Sequence, residues 1–280
     1  MDGGGLTEGP QLGGVRYRRL EESEGFPFSV PTISALRDLA FETPVTLLVG
    51  ENGTGKSTFL EALAIAARLP AVGTARLEGD ISLRDQRRLA DRLHLTWRGR
   101  THRGFFLRAE DFFGFQKELA RARAEHQREA ARIDVELADA SPWARGLAKG
   151  PHMASISDME SRYGENPDAA SHGEAFLRLF SSRLAPAGLY VMDEPEAALS
   201  PQSQLGFLAM ISDAVRTGSQ FIIATHAPIL MAVPGATILS FDEAPVRAVD
   251  FQDLEAVRLV RGFLNAPERY LRGVWGGDAE

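Results

Sequence analysis

Apolar and polar positions along this chain follow two periods, short continuous runs and helical stripes. Val45-Thr46-Leu47-Leu48-Val49 is apolar or β-branched throughout, which predicts a strand buried on both faces. Leu189 to Met192, Phe221 to Ala224 and Thr237 to Phe241 share that character. Phe26 to Val30 alternates apolar with polar and reads as a strand, as do Leu93 to Trp97 and Gly104 to Leu107. Val246 to Phe251 reads as an edge strand. Between these runs, Ser57 to Leu69 is apolar at Phe59, Leu60, Leu63, Ala64 and Ala67, a helical spacing that Pro70 ends. Ser171 opens a second helix, apolar at Phe176, Leu177, Leu179, Phe180 and Leu184. Ser200-Pro201 places an N-cap and a proline at N1 of a third, closed by Gly218. Asp253 to Leu264 reads as the last long helix. Strands alternating with helices predict an α/β fold with a mainly parallel central sheet flanked by helices.

Two stretches depart from the pattern. Residues 116–139 crowd charges of both signs onto an alanine-rich helical segment. That composition suits a solvated helix or helical hairpin, or a contact arm for a partner reaching roughly 35 Å at about 1.5 Å per residue. Residues 140–170 are richer in Pro, Gly, Ser and Asp and read as a loop region. Residues 1–14 are glycine-rich and read as a flexible tail. The expected organisation is a single domain over 15–280, with 74–170 inserted as a strand-rich and helical subdomain.

Composition narrows the function classes. The chain has 280 residues, 44% apolar and 25% charged, enough for a sizeable core. It has no cysteine, which excludes thiol catalysis, disulfides and cysteine-ligated metal sites. The net charge of −7 disfavours a globally basic nucleic-acid binder. No apolar run is long enough to span a membrane and no secretory pattern opens the chain, so a cytoplasmic location is expected. One region runs against the overall charge. Arg84, Arg87, Arg88, Arg92, Arg98, Arg100, Arg103 and Arg108 face only Asp85 and Asp91, with Trp97, Phe105 and Phe106 interleaved. DNA or RNA backbone contact and a plain solvated face are both open readings.

The chemistry concentrates in two places. Gly50-Glu51-Asn52-Gly53-Thr54-Gly55-Lys56-Ser57 matches G-x-x-x-x-G-K-[ST], and Thr58 follows it. Glycines let the backbone curl so that successive N–H groups converge on phosphate oxygens, and the following helix adds its positive end. Lys56 is expected at the β- and γ-phosphates and the Ser57 hydroxyl at Mg²⁺. The motif follows a buried strand and starts a helix, the context it requires. Asp193-Glu194 ends the apolar strand Leu189 to Met192. There Asp193 is expected to hold Mg²⁺ and Glu194 to polarise the attacking water. His226 ends the strand Phe221 to Ala224, expected beside the acid strand, which would let it face the γ-phosphate.

Together these residues resemble the soluble branch of the ABC-type ATPases, which includes SMC-like and RecF-like maintenance ATPases. The match is nearest to small AAA-family ATPases carrying SHGE and DEPEAAL-type motifs, here Ser171 to Glu174 and Asp193 to Leu199. The resemblance spans roughly residues 26–272. It implies ATP and Mg²⁺ as ligands and an ATP-dependent homodimer, in which Ser171 and Gly173 bind the γ-phosphate of ATP held by the second subunit. A simple capping role for Ser171 and Glu174 is compatible with that. Ala197 to Ser200 would couple the two sites. His172 and Glu174 depart from the transporter signature L-S-G-G-Q, although a transporter's ATP-binding subunit remains the alternative reading. Where relatives carry a γ-phosphate-sensing glutamine, the candidates are Glu110, a further metal ligand, and Gln116. Tyr17, Phe26 and Phe28 are the candidates for stacking on adenine. The process driven by ATP, with DNA or a protein as partner, stays open.

Overall fold

The structure, a computed structural model, describes residues 10–18, 25–72, 83–163 and 172–275. In chain order its elements are β1 (Leu12–Tyr17), α1 (Pro31–Ser34), β2 (Leu39–Ala40), β3 (Val45–Val49), α2 (Lys56–Ala67), α3 (Arg84–Ala90), β4 (Leu93–Trp97), β5 (Gly104–Arg108), α4 (Ala109–Glu136) and α5 (Pro142–Tyr163). They continue with α6 (His172–Arg183), β6 (Leu189–Asp193), α7 (Pro201–Arg216), β7 (Gln220–Ala224), α8 (Pro228–Met231), β8 (Thr237–Ser240), β9 (Arg247–Ala248), α9 (Glu255–Asn265) and α10 (Pro267–Trp275).

The apolar runs build a six-stranded sheet in the order β5-β6-β7-β3-β8-β9, parallel except for the edge strand β9. Its strands are buried on both faces because alternate residues feed two cores. Leu48, Phe106, Val191 and Ile222 face α2 and its neighbours. Leu47, Phe105, Tyr190 and Phe221 face the other layer, where Phe176, Phe180 and Phe207 from α6 and α7 pack edge-on. A second sheet, β2-β1-β4, is antiparallel. Buried Gln220 ties it to the first, accepting from Leu12 N–H at 2.8 Å and donating to Leu12 C=O at 3.0 Å.

Several expectations need correction. Residues 1–14 are not a tail throughout, since fully buried Leu12 begins β1. Phe26 to Val30 is a turn leading into α1 rather than a strand. Where a loop is expected over 140–170, α5 occupies Pro142–Tyr163 despite Pro151 within it, and 164–170 lie outside the described residues. α5 folds back on the 28-residue α4, which is about 42 Å long. Ala130 and Ile156 are buried between them, and Lys149–Asp134 at 2.6 Å, Arg123–Glu160 at 2.5 Å and His126–His152 at 3.1 Å cross-link the pair. Of the described part of 74–170, β5 is the edge strand of the main sheet, β4 joins the second sheet, α3 packs on α2, and α4 and α5 form a hairpin. α10 follows the helix expected to be last.

Candidate nucleotide site

The strand order brings the ends of β3, β7 and β6 to one edge of the sheet, with β7 between the other two. From β3 the chain turns through Gly50 to Gly55 into α2. Gly53 and Gly55 have φ of +80° and +98°, which a side chain rarely adopts. A Cβ on Gly55 would also meet Thr32, Val30 and Ile33 at 3.0–3.2 Å. Thr32 Oγ1 donates to Thr54 C=O, and Thr54 Oγ1 donates to Glu51 C=O at 2.8 Å. Lys56 is only 4% exposed and donates to the Gly50 and Glu51 carbonyls at 2.7 and 2.8 Å. Burial lowers its pKa, against the pull of Glu194, Asp193, Asp242 and Glu51. Asn52 and Gly53 are exposed and Thr58 is half-buried.

Asp242, just beyond β8, is a residue the motif reading missed. Its carboxylate accepts from Glu51 N–H at 2.8 Å and from Ser240 Oγ at 3.0 Å, and would touch a Cβ on Gly50. It braces the phosphate loop from 191 residues away. Asp242→Ala is expected to raise KM for ATP by roughly tenfold, the worth of about 1.4 kcal/mol, with kcat changed far less. Equal KM values for variant and wild type would remove this role.

The acid strand ends one register step from two partners. Asp193 lies level with Arg108 on β5 and with Ala224 on β7. A cleft of about 410 Å³ is lined by Ser57, Glu61, Arg108, Glu110, Asp193 and Glu194, among others. Asp193 is 8% exposed, and burial raises its pKa to about 7 against the hydrogen bond from Ser57. Its Oδ1 has no hydrogen-bond partner. A buried carboxylate oxygen left unbonded beside a hydroxyl is an oxygen pair suited to a hard cation that keeps several waters, as Mg²⁺ does. Among the described residues no group of three or more His, Cys, Asp or Glu is poised for a metal. The donor set therefore fits Mg²⁺ through Ser57 and Asp193.

Glu194 follows with φ +50°, ψ +50°, a left-handed conformation costing about 1–3 kcal/mol and found mainly at functional sites. Its Oε1 lies 3.5 Å from His226 Nε2, which is buried without a hydrogen-bond partner. Glu196 accepts from His226 N–H at 2.5 Å and so fixes the histidine's backbone. Glu110 is exposed at the cleft's rim, 3.7 Å from Arg108, whereas Gln116 is bonded to His172 at 3.3 Å and does not line the cleft. Gly173 starts α6 against Ser203, where a Cβ would come within 2.6 Å of the hydroxyl. Ser171 lies outside the described residues.

Arg108, read in the sequence only as part of the basic stretch, and Glu61, not read at all, also meet at the cleft. Arg108 donates to Asp111 at 2.8 Å and to Glu61 at 2.9 Å, joining the sheet, α4 and α2. Burial alone would lower its pKa, but Asp111 and Glu61 hold it above its ordinary value. Burial raises Glu61, opposed by Arg108 and by Gln86, which donates to it at 2.8 Å. The arginine-rich stretch is largely committed to the fold. Arg88 and Arg92 lie over buried Phe28, Arg98 donates to Phe41 C=O and Arg103 to Pro186 C=O. Phe28 is thus covered, while Phe26 is 45% exposed in the turn before α1.

Asp193 also makes stability depend on pH. Its folded pKa lies above the unfolded value of 3.8, so the folded state binds the extra proton. Its contribution is unfavourable and grows as pH rises from about 4 to about 7. Asp193→Asn is expected to stabilise the nucleotide-free protein by about 1–3 kcal/mol at pH 8 and by little near pH 4, read by thermal unfolding. Equal gains at both pH values would contradict the raised pKa.

A family model for an AAA domain matches residues 32–68. The chain is 26% identical over 205 residues to the macrolide export ATP-binding/permease protein MacB of Hahella chejuensis, a match covering 71% of this chain but only 29% of that protein. It is 29% identical over 197 residues to the cytochrome c biogenesis ATP-binding export protein CcmA of Rhodospirillum rubrum, covering 70% and 73%. It is 29% identical over 199 residues to the phosphate import ATP-binding protein PstB of Oceanobacillus iheyensis, covering 69% and 67%. Sheet, phosphate loop and acid strand define a P-loop ATPase. The chain is thus a P-loop ATPase, similar over about 70% of its length to ATP-binding proteins of the ABC type. Among solved structures, cbiO1 from Clostridium perfringens superposes with a TM-score of 0.46 at 13% identity, covering 94% of this chain and all (100%) of that one. The Smc head domain from Pyrococcus furiosus gives 0.41 at 12%, covering 91% and 100%. Among the described residues, no helix is long and apolar enough to cross a membrane.

Proposed function

We propose that two copies of this chain close on Mg-ATP and hydrolyse it to ADP and phosphate, with the α4–α5 hairpin transmitting the change to a partner. The observation that carries the reading is the juxtaposition of Ser57, Asp193 and Glu194 in one cleft beside Lys56. In this reading Gly50, Glu51, Asn52, Gly53, Thr54, Gly55 and Thr58 wrap the phosphates through the loop and first helical turn. Lys56 leaves the loop carbonyls for the β- and γ-phosphates. Ser57 and Asp193, with Glu110 at the rim, would hold Mg²⁺, which would supply charge neutralisation at the phosphates. Glu194 Oε1 accepts a proton from the attacking water, and His226 Nε2, 3.5 Å away, meets the γ-phosphate or that proton. Gly173, with Ser171 before it, serves the partner copy's nucleotide. Phe26, 45% exposed in the turn before α1, would stack on adenine.

α4 starts directly from β5, one residue after Arg108, so movement at the cleft reaches the hairpin without an intervening loop. This supports a DNA or protein partner on the arm. A second reading, an ATP-binding subunit of a transporter, draws on the export and import proteins among the relatives. ATP turnover measured with and without DNA separates the outcomes. Stimulation lost on replacing Arg100, which has no structural bond among those described, supports nucleic acid. No stimulation supports a protein partner, and co-purification with a membrane subunit would make the transporter reading correct. ATP binding unchanged in Lys56→Ala would overturn the site itself.

A further inference from the structure

α9 and α10 carry the same seven-residue pattern. Arg258-Leu259-Val260-Arg261-Gly262-Phe263-Leu264 is matched by Arg269-Tyr270-Leu271-Arg272-Gly273-Val274-Trp275. On a helix, apolar residues at i, i+1, i+4 and i+5 occupy one sector and the arginines at i−1 and i+2 the opposite face. Val257 anchors α9 in the core. Gly262 admits the Tyr270 hydroxyl where a side chain would collide, and Phe263 meets Tyr270 edge-on at 5.9 Å, joining the two sectors. The other large apolar residues of the repeat whose side chains are described are exposed. Leu264 is 71% exposed and Leu259 55%, with Val260, Phe263, Tyr270 and Leu271 between 36% and 43%. Six large apolar side chains on adjoining helices form a contiguous surface of a kind that marks an interaction site.

Charge narrows the occupant. The two helices hold four arginines against Glu255 and Glu268, in a chain whose net charge is −7. Arg258 is paired with Asp253, whereas Arg261, Arg269 and Arg272 have no acidic partner among the described residues. A second copy on this face would set helices of net positive charge against their own counterparts. We propose that the α9–α10 face docks on an anionic lipid surface. Its apolar sector would enter the headgroup–acyl boundary, the arginines of the opposite face would draw the helices to the anionic surface, and Tyr270 would sit at the headgroup level. This surface uses no residue of the nucleotide site.

Co-sedimentation of the full chain with vesicles tests it. Binding is expected to phosphatidylglycerol-containing vesicles, with far less to phosphatidylcholine alone, and is expected to weaken with salt. Leu264→Glu, and separately Arg269→Glu with Arg272→Glu, should each bind at least about tenfold more weakly. Both variants change exposed side chains, and ATP turnover equal to wild type shows that each is folded. Equal binding to both vesicle types, no binding to either, or variants that bind as wild type does would overturn the proposal. An ATP-independent dimer lost in Leu264→Glu would instead assign the face to a second copy. Leu264-dependent binding of an acidic helical peptide, without vesicle binding, would assign it to a protein.

Discussion

Glu194→Gln is expected to bind ATP as the wild type does and to lose steady-state hydrolysis by about 10²–10⁴-fold, the usual worth of a general base. The amide keeps the size of the side chain and removes its capacity to take a proton. The backbone already commits free energy here, since Glu194 sits at φ +50° although it carries a side chain. Its N–H donates to Ala224 C=O at 2.9 Å, which pins the residue to the end of β7, two residues before His226. The carboxylate is therefore held at the cleft by its main chain while its head stays half exposed. A malachite-green or coupled assay reads the turnover, and nucleotide retention reads the binding. Turnover close to wild type would remove Glu194 from the chemistry.

Arg108→Ala has the largest expected cost in stability, about 3–5 kcal/mol, because it strands a buried carboxylate. Glu61 lies one turn beyond Ser57 on α2 and keeps only Gln86 as donor once Arg108 is gone. Its pKa is already raised by burial, and losing the guanidinium raises it further. A carboxyl with a folded pKa above its unfolded value costs stability increasingly as pH rises, so the variant should be worst at alkaline pH. The double variant Arg108→Met, Glu61→Gln removes both charges and should recover most of the loss. Chemical denaturation of the single and double variants measures this. A double variant no more stable than Arg108→Ala would mean that Arg108 acts through Asp111 and the hairpin rather than through Glu61.

What the sequence disclosed and what it concealed follow from the range of the interactions. The phosphate loop is contiguous, with its strand before and its helix after, so every part was legible. Asp193-Glu194 and His226 were legible as strand ends, and the structure places both at the sheet edge where β3 also ends. The neighbourhood of β6 and β7 was expected and holds, but nothing local says that β3 pairs with the other edge of β7. Long-range side-chain pairs were equally hidden. Arg108 meets Glu61 across 47 residues, and Asp242 meets Glu51 across 191. α5 was misread for another reason. Pro151 and the glycines at 146 and 150 outweighed a seam at His152, Ile156 and Tyr163 that faces α4. Pro151 is tolerated because the hairpin supplies the packing that local propensity lacks.

The account turns on ATP being closed between two copies and cleaved with Glu194 as base. The direct measurement is the solution mass of Glu194→Gln by light scattering, with and without Mg-ATP. The predicted result is a monomer that becomes a dimer only when Mg-ATP is present, and that returns to monomer when Lys56→Ala is added. A mass indifferent to Mg-ATP, together with undiminished ATP hydrolysis, would contradict it.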